Sequence, residues 1–94
     1  MPTSQTGPQA LRARILDLHG TLLLDDVEGL LEMLTDKNGF TSWWFRFELP
    51  DKKLPIPKGT NCMLLLENGR KGKCYVSAIS AAFFTTLRGA GELK

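Results

Sequence analysis

Apolar and polar residues alternate most plainly over 41–49 (TSWWFRFEL), where Trp43, Phe45, Phe47 and Leu49 share one parity and Trp44, Arg46 and Glu48 the other. Successive side chains of a strand point to opposite faces, so this spacing predicts a strand with one apolar and one polar face. Segment 11–24 (LRARILDLHGTLLL) also reads as a strand, but its phase changes midway: Leu11, Ala13 and Ile15 are odd, and Leu16, Leu18, Leu22 and Leu24 are even. A phase change beside Gly20 predicts a bulge or sharp bend, as where a strand rounds the corner of a small barrel. In 25–36 (DDVEGLLEMLTD) the spacing becomes i, i+3, i+4, i+7 at Val27, Leu30, Leu31 and Leu34, the single stripe of an amphipathic helix. Asp25, with Glu28 three residues later, suits its N-terminal cap, and Asn38-Gly39 its end. Gly29 would let that helix lie close against a sheet.

Residues 50–59 (PDKKLPIPKG) contain three prolines and read as a loop. Segments 61–66 and 73–79 flank Asn68-Gly69 and predict a hairpin, and 83–88 (FFTTLR) a last strand. Leu64, Leu65 and Leu66 are apolar on both faces, which places that arm centrally with the helix covering one side. The order strand, helix, then four strands predicts an α+β fold. It would be a small, strongly bent antiparallel sheet or partly open β-barrel of about five strands, with one amphipathic helix after the first strand. Residues 1–10, rich in Pro, Gly, Ser, Thr and Gln, read as a disordered lead-in, and 11–94 as a single barrel-like domain.

Composition narrows the function classes. Ninety-four residues, 43% hydrophobic and 23% charged, suit one domain and leave no room for a separate catalytic one. The longest strictly apolar run is 63–66, far short of the ~18 residues of a membrane span, and the first residues lack the apolar core of a signal peptide. A cytoplasmic protein is the expectation, with Cys62 and Cys74 as reduced thiols. If Asn68-Gly69 were a two-residue turn, Cys62 would face Tyr75 and Cys74 would face Met63, sending the sulfurs to opposite faces. A three-residue loop with a bulge would be needed to bring them together.

Candidate chemistry is sparse. His19 is the lone histidine, and no Cys-x-x-Cys or His-x-x-x-His spacing suggests a metal site. Neither cysteine lies at a predicted helix N-terminus, where a thiolate is favoured. Arg88-Gly89-Ala90-Gly91 is glycine-rich, but no helix follows it to cradle a phosphate. No catalytic residue, cofactor or metal is expected, and the chain reads as a non-enzyme.

Charge becomes informative once it is read along the chain. The total is +2, yet 1–49 carries four cations against seven carboxylates, net −3, and 50–94 carries eight against three, net +5. Glu28, Glu32 and Asp36 step by four along the predicted helix, while Trp44, Arg46 and Glu48 form the polar face of 41–49. Tryptophan and arginine are enriched at interface hot spots, so these six residues are the candidate protein interface. Lys52, Lys53 and Lys58 in one loop and Arg70, Lys71 and Lys73 at the hairpin tip form a candidate basic patch.

The leading expectation is a protein-protein interaction or assembly module that associates with a protein partner, possibly a second copy as a homodimer. The alternatives are a nucleic-acid-binding barrel gripping phosphates with the two basic loops, and a small-ligand or cyclic-nucleotide sensor. Asp17-Leu18-His19-Gly20 invites comparison with PilZ-type cyclic-dinucleotide barrels. That family's Arg-x-x-x-Arg is replaced here by the closer pair Arg12 and Arg14, and no serine follows Asp17, so a generic small-barrel similarity remains.

Overall fold

A computed structural model of the chain describes residues 4–48, 56–79 and 84–94. It contains six strands: β1 (Ser4–Leu16), β2 (Leu22–Thr35), β3 (Thr41–Glu48), β4 (Asn61–Leu66), β5 (Lys71–Ile79) and β6 (Phe84–Gly89). All neighbours pair antiparallel, and the sheet closes on itself in the order β1-β2-β3-β6-β5-β4. The expected α+β fold with a helix and a partly open barrel is thus corrected to an all-β closed barrel, with no helix among the described residues. β1 begins at Ser4, within the stretch read as a lead-in.

The helical spacing over 25–36 has a specific origin in β2. Ala13 pairs with Val27 and Ile15 with Leu24, so two residues of β1 span three of β2, and the surplus residue sits at Asp25-Asp26. Asp26 adopts a left-handed φ of 52°, as a bulge residue can. The bulge resets the parity: Leu24, Val27, Gly29 and Leu31 all face inward. Because Gly29 is invisible to a hydrophobicity count, the inward residues read as 24, 27 and 31, which mimics a helix. Leu30 completed the false stripe from the outer face, where it is 41% exposed.

The phase change near Gly20 is also a different device from a bent strand. It is a hairpin turn, and the β2–β3 connection repeats it. The Asp17 amide donates to the Thr21 carbonyl and the Asp17 carboxylate accepts from the amides of His19 and Thr21, at 2.8 and 2.9 Å. Asp36 does the same for Phe40 and for the amides of Asn38 and Phe40, at 2.8 and 3.0 Å. Gly20 and Gly39 close the two turns at φ near +90°, a region that strongly favours glycine. Backbone hydrogen bonds from Thr21 and His19 hold the Asp17 carboxyl below its usual range.

The parity predicted for β3 is observed. Trp43, Phe45 and Phe47 are the largest fully buried side chains among the described residues, whereas Arg46 and Glu48 face out with the half-buried Trp44, and Leu49 lies outside the described residues. Six strands enclose a narrow lumen, and three such aromatics fit only where facing positions are small. The Phe45 ring lies over Gly29 and the Trp43 indole over Gly89 and Gly72. Trp43 Nε1 donates to the Gly91 carbonyl at 2.7 Å, satisfying its one polar atom. The segment after β6 turns back over this end: the amides of Ala90 and Lys94 donate to the carbonyls of Lys73 and Lys71, and Leu93 is buried.

Candidate functional site

Closing the barrel puts outward residues of distant segments in one row. Ala10, Leu30, Arg46, Thr86 and Ala78 are successive partners across β1, β2, β3, β6 and β5. One step nearer that end of the barrel, Glu48 pairs with Phe84. Together with Glu28 and Ile79 these residues line a groove of about 620 Å3. Leu30, Ile79 and Phe84 are 41%, 36% and 46% exposed along it. Isolated exposed leucines are ordinary, but three large apolar side chains lining one groove mark a surface suited to covering.

The charges around this floor are unequal in freedom. Arg46 Nη2 donates to Glu32 Oε1, one cross-strand position away, and Glu32 is almost fully buried while Arg46 is about half exposed. The guanidinium is therefore committed to neutralising a carboxylate that would otherwise be costly to bury. Among the described residues Glu28 and Glu48 are in no ion pair; Glu28 faces Arg12 across the ladder and favours its charge, whereas Glu48 is paired across the ladder with Phe84. Arg12–Asp26 at 2.9 Å and Arg14–Asp25 at 3.1 Å are exposed pairs clustered at the β2 bulge. Pairs of that kind contribute about 0–1 kcal/mol each.

Of the six residues read as a protein interface, Glu28, Arg46 and Glu48 line the groove. Glu32 and Trp44 occupy the next outer row, followed by Arg88 and Tyr75. Asp36 lies apart in the β2–β3 turn, where its carboxylate is used for capping. The basic residues separate further. Lys52 and Lys53 lie outside the described residues. Lys58 precedes β4 and Arg70 follows it, so a six-residue strand, about 20 Å at ~3.3 Å per residue, lies between them. Arg70 is half-buried and donates to the Leu93 carbonyl at 3.0 Å, so it fastens the tail, whereas Lys71 and Lys73 point outward from β5. Leu30, Ile79 and Phe84 were missed by sequence reasoning. Reading 27–34 with a period of two would have put Glu28, Leu30 and Glu32 on one face.

The two cysteines meet inside the barrel. The β4–β5 connection is a three-residue loop, with Leu66 N donating to Arg70 O and Gly69 N to Leu66 O, so Cys62 faces Cys74 directly. The two-residue turn and its opposed sulfurs are thereby corrected; the sulfurs are 3.4 Å apart, both free and buried. The adjoining Cys62 sulfur and burial push the Cys74 thiol far above its usual range. Both side chains are shut off from solvent, so a thiol reagent added to the folded protein near pH 8 is expected to label neither cysteine and to label both in urea. Labelling of either residue at the folded protein's own rate would contradict this placement.

His19 is exposed in the β1–β2 turn, with its amide on Asp17, so the Asp17-Leu18-His19-Gly20 segment is a hairpin connection. Among the described residues no three His, Cys, Asp or Glu side chains converge as metal ligands. Among the described residues no helix is long and apolar enough to cross a membrane. Compared with known protein families, characterised proteins and solved structures, the chain matches none.

Proposed function

We propose that this barrel is a non-enzymatic protein-binding module, and that the groove over β2, β3 and β6 receives an apolar segment of a partner flanked by a basic residue. The observation that carries this reading is the combination of three exposed apolar side chains, Leu30, Ile79 and Phe84, with the carboxylates of Glu28 and Glu48 beside them. Burying those side chains would supply ~25 cal/mol per Å2 of apolar surface covered. The carboxylates would select the charge of the flank and speed encounter with it. The floor is built on paired strands, so little ordering is required when the partner arrives.

Selection of peptides from a random displayed library tests this. Apolar peptides carrying a flanking Lys or Arg are expected to be enriched. Leu30→Asp with Phe84→Asp should weaken their binding more than 10-fold while the melting midpoint stays within a few degrees. Glu28→Gln with Glu48→Gln should remove the preference for the basic flank. If no enriched peptide responds to the Leu30 and Phe84 substitutions, the groove is not the binding surface.

A further inference from the structure

The closed strand order turns a feature of the sequence into one of shape. β1, β2 and β3 are consecutive around the ring, and so are β6, β5 and β4, so each half of the chain forms one wall. Residues 4–48 carry four cations against seven carboxylates, net −3, and residues 56–79 with 84–94 carry six against two, net +4. The acidic member of this pair of surfaces is the groove, where Glu28, opposite Arg12, and Glu48 stand among apolar residues. A counterpart lies at the other end of β5. Lys71, Lys73 and Lys94 surround a hollow of about 290 Å3 together with Met63 and a single acid, Glu92. Among the described residues none of those three lysines is in an ion pair.

We propose that the groove receives the lysines around the hollow of a second copy of this chain, so that barrels associate groove to hollow. The inference rests on the protein-binding reading of the groove and names its partner. The two surfaces are complementary in composition: apolar side chains with Glu28, Glu48 and the Glu32-paired Arg46 on one, a methionine with three lysines and one carboxylate on the other. A patch set against its own copy would put Glu28 and Glu48 against the same acids or the lysines against lysines. Lys71 and Lys73 lie about 20 Å along β5 from Ala78 and Ile79 in the groove, at ~3.3 Å per residue. Two patches so placed can meet their opposites twice across a two-fold axis, closing a dimer, or once per molecule along a growing chain.

Sedimentation of the full chain over a range of concentrations tests the proposal. In about 50 mM salt the average mass is expected to rise with concentration to two copies or beyond. In about 500 mM salt, where exposed charges are screened within a few ångströms, it should fall to that of one chain. Lys71→Glu with Lys73→Glu, and separately Glu28→Lys with Glu48→Lys, should each sediment as monomers. An equimolar mixture of the two variants should associate again, because each then offers what the other lacks. A wild-type chain that stays monomeric at low salt, or a mixture that fails to associate, would overturn the proposal. So would retention of a single-stranded oligonucleotide that Lys71→Glu with Lys73→Glu abolishes while the protein remains monomeric, since the hollow would then belong to nucleic acid. If groove-dependent peptides are still selected by a protein that is always monomeric, the groove reading stands and the self-association falls.

Discussion

Gly29→Ala is expected to destabilise the barrel by about 3 kcal/mol, at the upper end of the usual cost of inserting a methyl group into a packed interior. A Cβ at this position would lie 2.6 and 2.7 Å from Cζ and Cε2 of Phe45, and still closer to the Arg46 carbonyl oxygen. Neither neighbour can retreat. Phe45 is fully buried and packs its ring 6.0 Å from that of Phe47, and the Arg46 carbonyl belongs to the strand paired with β2. In a domain whose whole stability is about 5–15 kcal/mol, such a loss should be plain in urea or thermal unfolding. The sign separates the two readings of 25–36. In a helix, alanine in place of an interior glycine would stabilise by ~1 kcal/mol. Phe45→Leu, which removes the ring edge, should recover part of the loss when combined with Gly29→Ala, a coupling expected only if the two residues touch. A Gly29→Ala protein as stable as the parent would refute the packing described for this strand.

Leu31→Asp is expected to abolish folding, while Leu30→Asp should leave stability within about 1 kcal/mol of the parent. Leu31 is 2% exposed and points into the lumen among Val27, Phe45 and Leu87 in the core cluster, where no cation could accompany a carboxylate. An unpaired charge there costs several kcal/mol or forces protonation. Leu30, one residue earlier, projects from the outer face into the groove. An amphipathic helix would bury both leucines in one stripe and make both substitutions severe. Circular dichroism and urea unfolding of the two variants would measure the contrast; equal damage from both would restore the helical stripe and remove the groove with it.

Where the inward residues are large and uninterrupted, the pattern along the chain was legible. β3 shows its true faces in Trp43, Phe45 and Phe47 because each inward position carries an aromatic ring. The odd positions of β1, Leu11, Ala13 and Ile15, are likewise the inward ones. β2 was not legible, for two reasons acting together. A bulge at Asp25-Asp26 inserted a residue into the count, and a glycine occupied an inward position where a period-two search requires bulk. Both turns of the Asp-x-x-Gly type could have been found, since Asp17 and Gly20 have the same spacing as Asp36 and Gly39. Recognising the pair would have ended one strand at residue 16 and begun another at 22.

The candidate interface was read on the wrong element. Glu28, Arg46 and Glu48 do assemble, but across a ladder in which Leu30 and Arg46 are partners, and not by a helix docking on a sheet. The two cysteines illustrate the same limit at closer range. Their twelve-residue separation is in the sequence, yet one residue in the length of the β4–β5 loop decides whether the sulfurs point apart or lie 3.4 Å from one another.

From its residues alone, the chain is a single small barrel-like domain, rich in strands, with an acidic first half and a basic second half. Those properties depend on local alternation and on composition, which survive any arrangement of the strands. Only the tertiary structure decided that the barrel is closed, that its two halves are its two walls, and that the apolar groove and the lysine-rich hollow lie at opposite ends of β5. These depend on strand order and register, set by which bulges and turn lengths let three large aromatic side chains pack against glycine inside six strands. The packing couples residues distant in sequence, as in the Trp43–Gly91 hydrogen bond across 48 positions and the backbone bond from Glu67 to Arg12, and periodicity along the chain carries no record of such pairs.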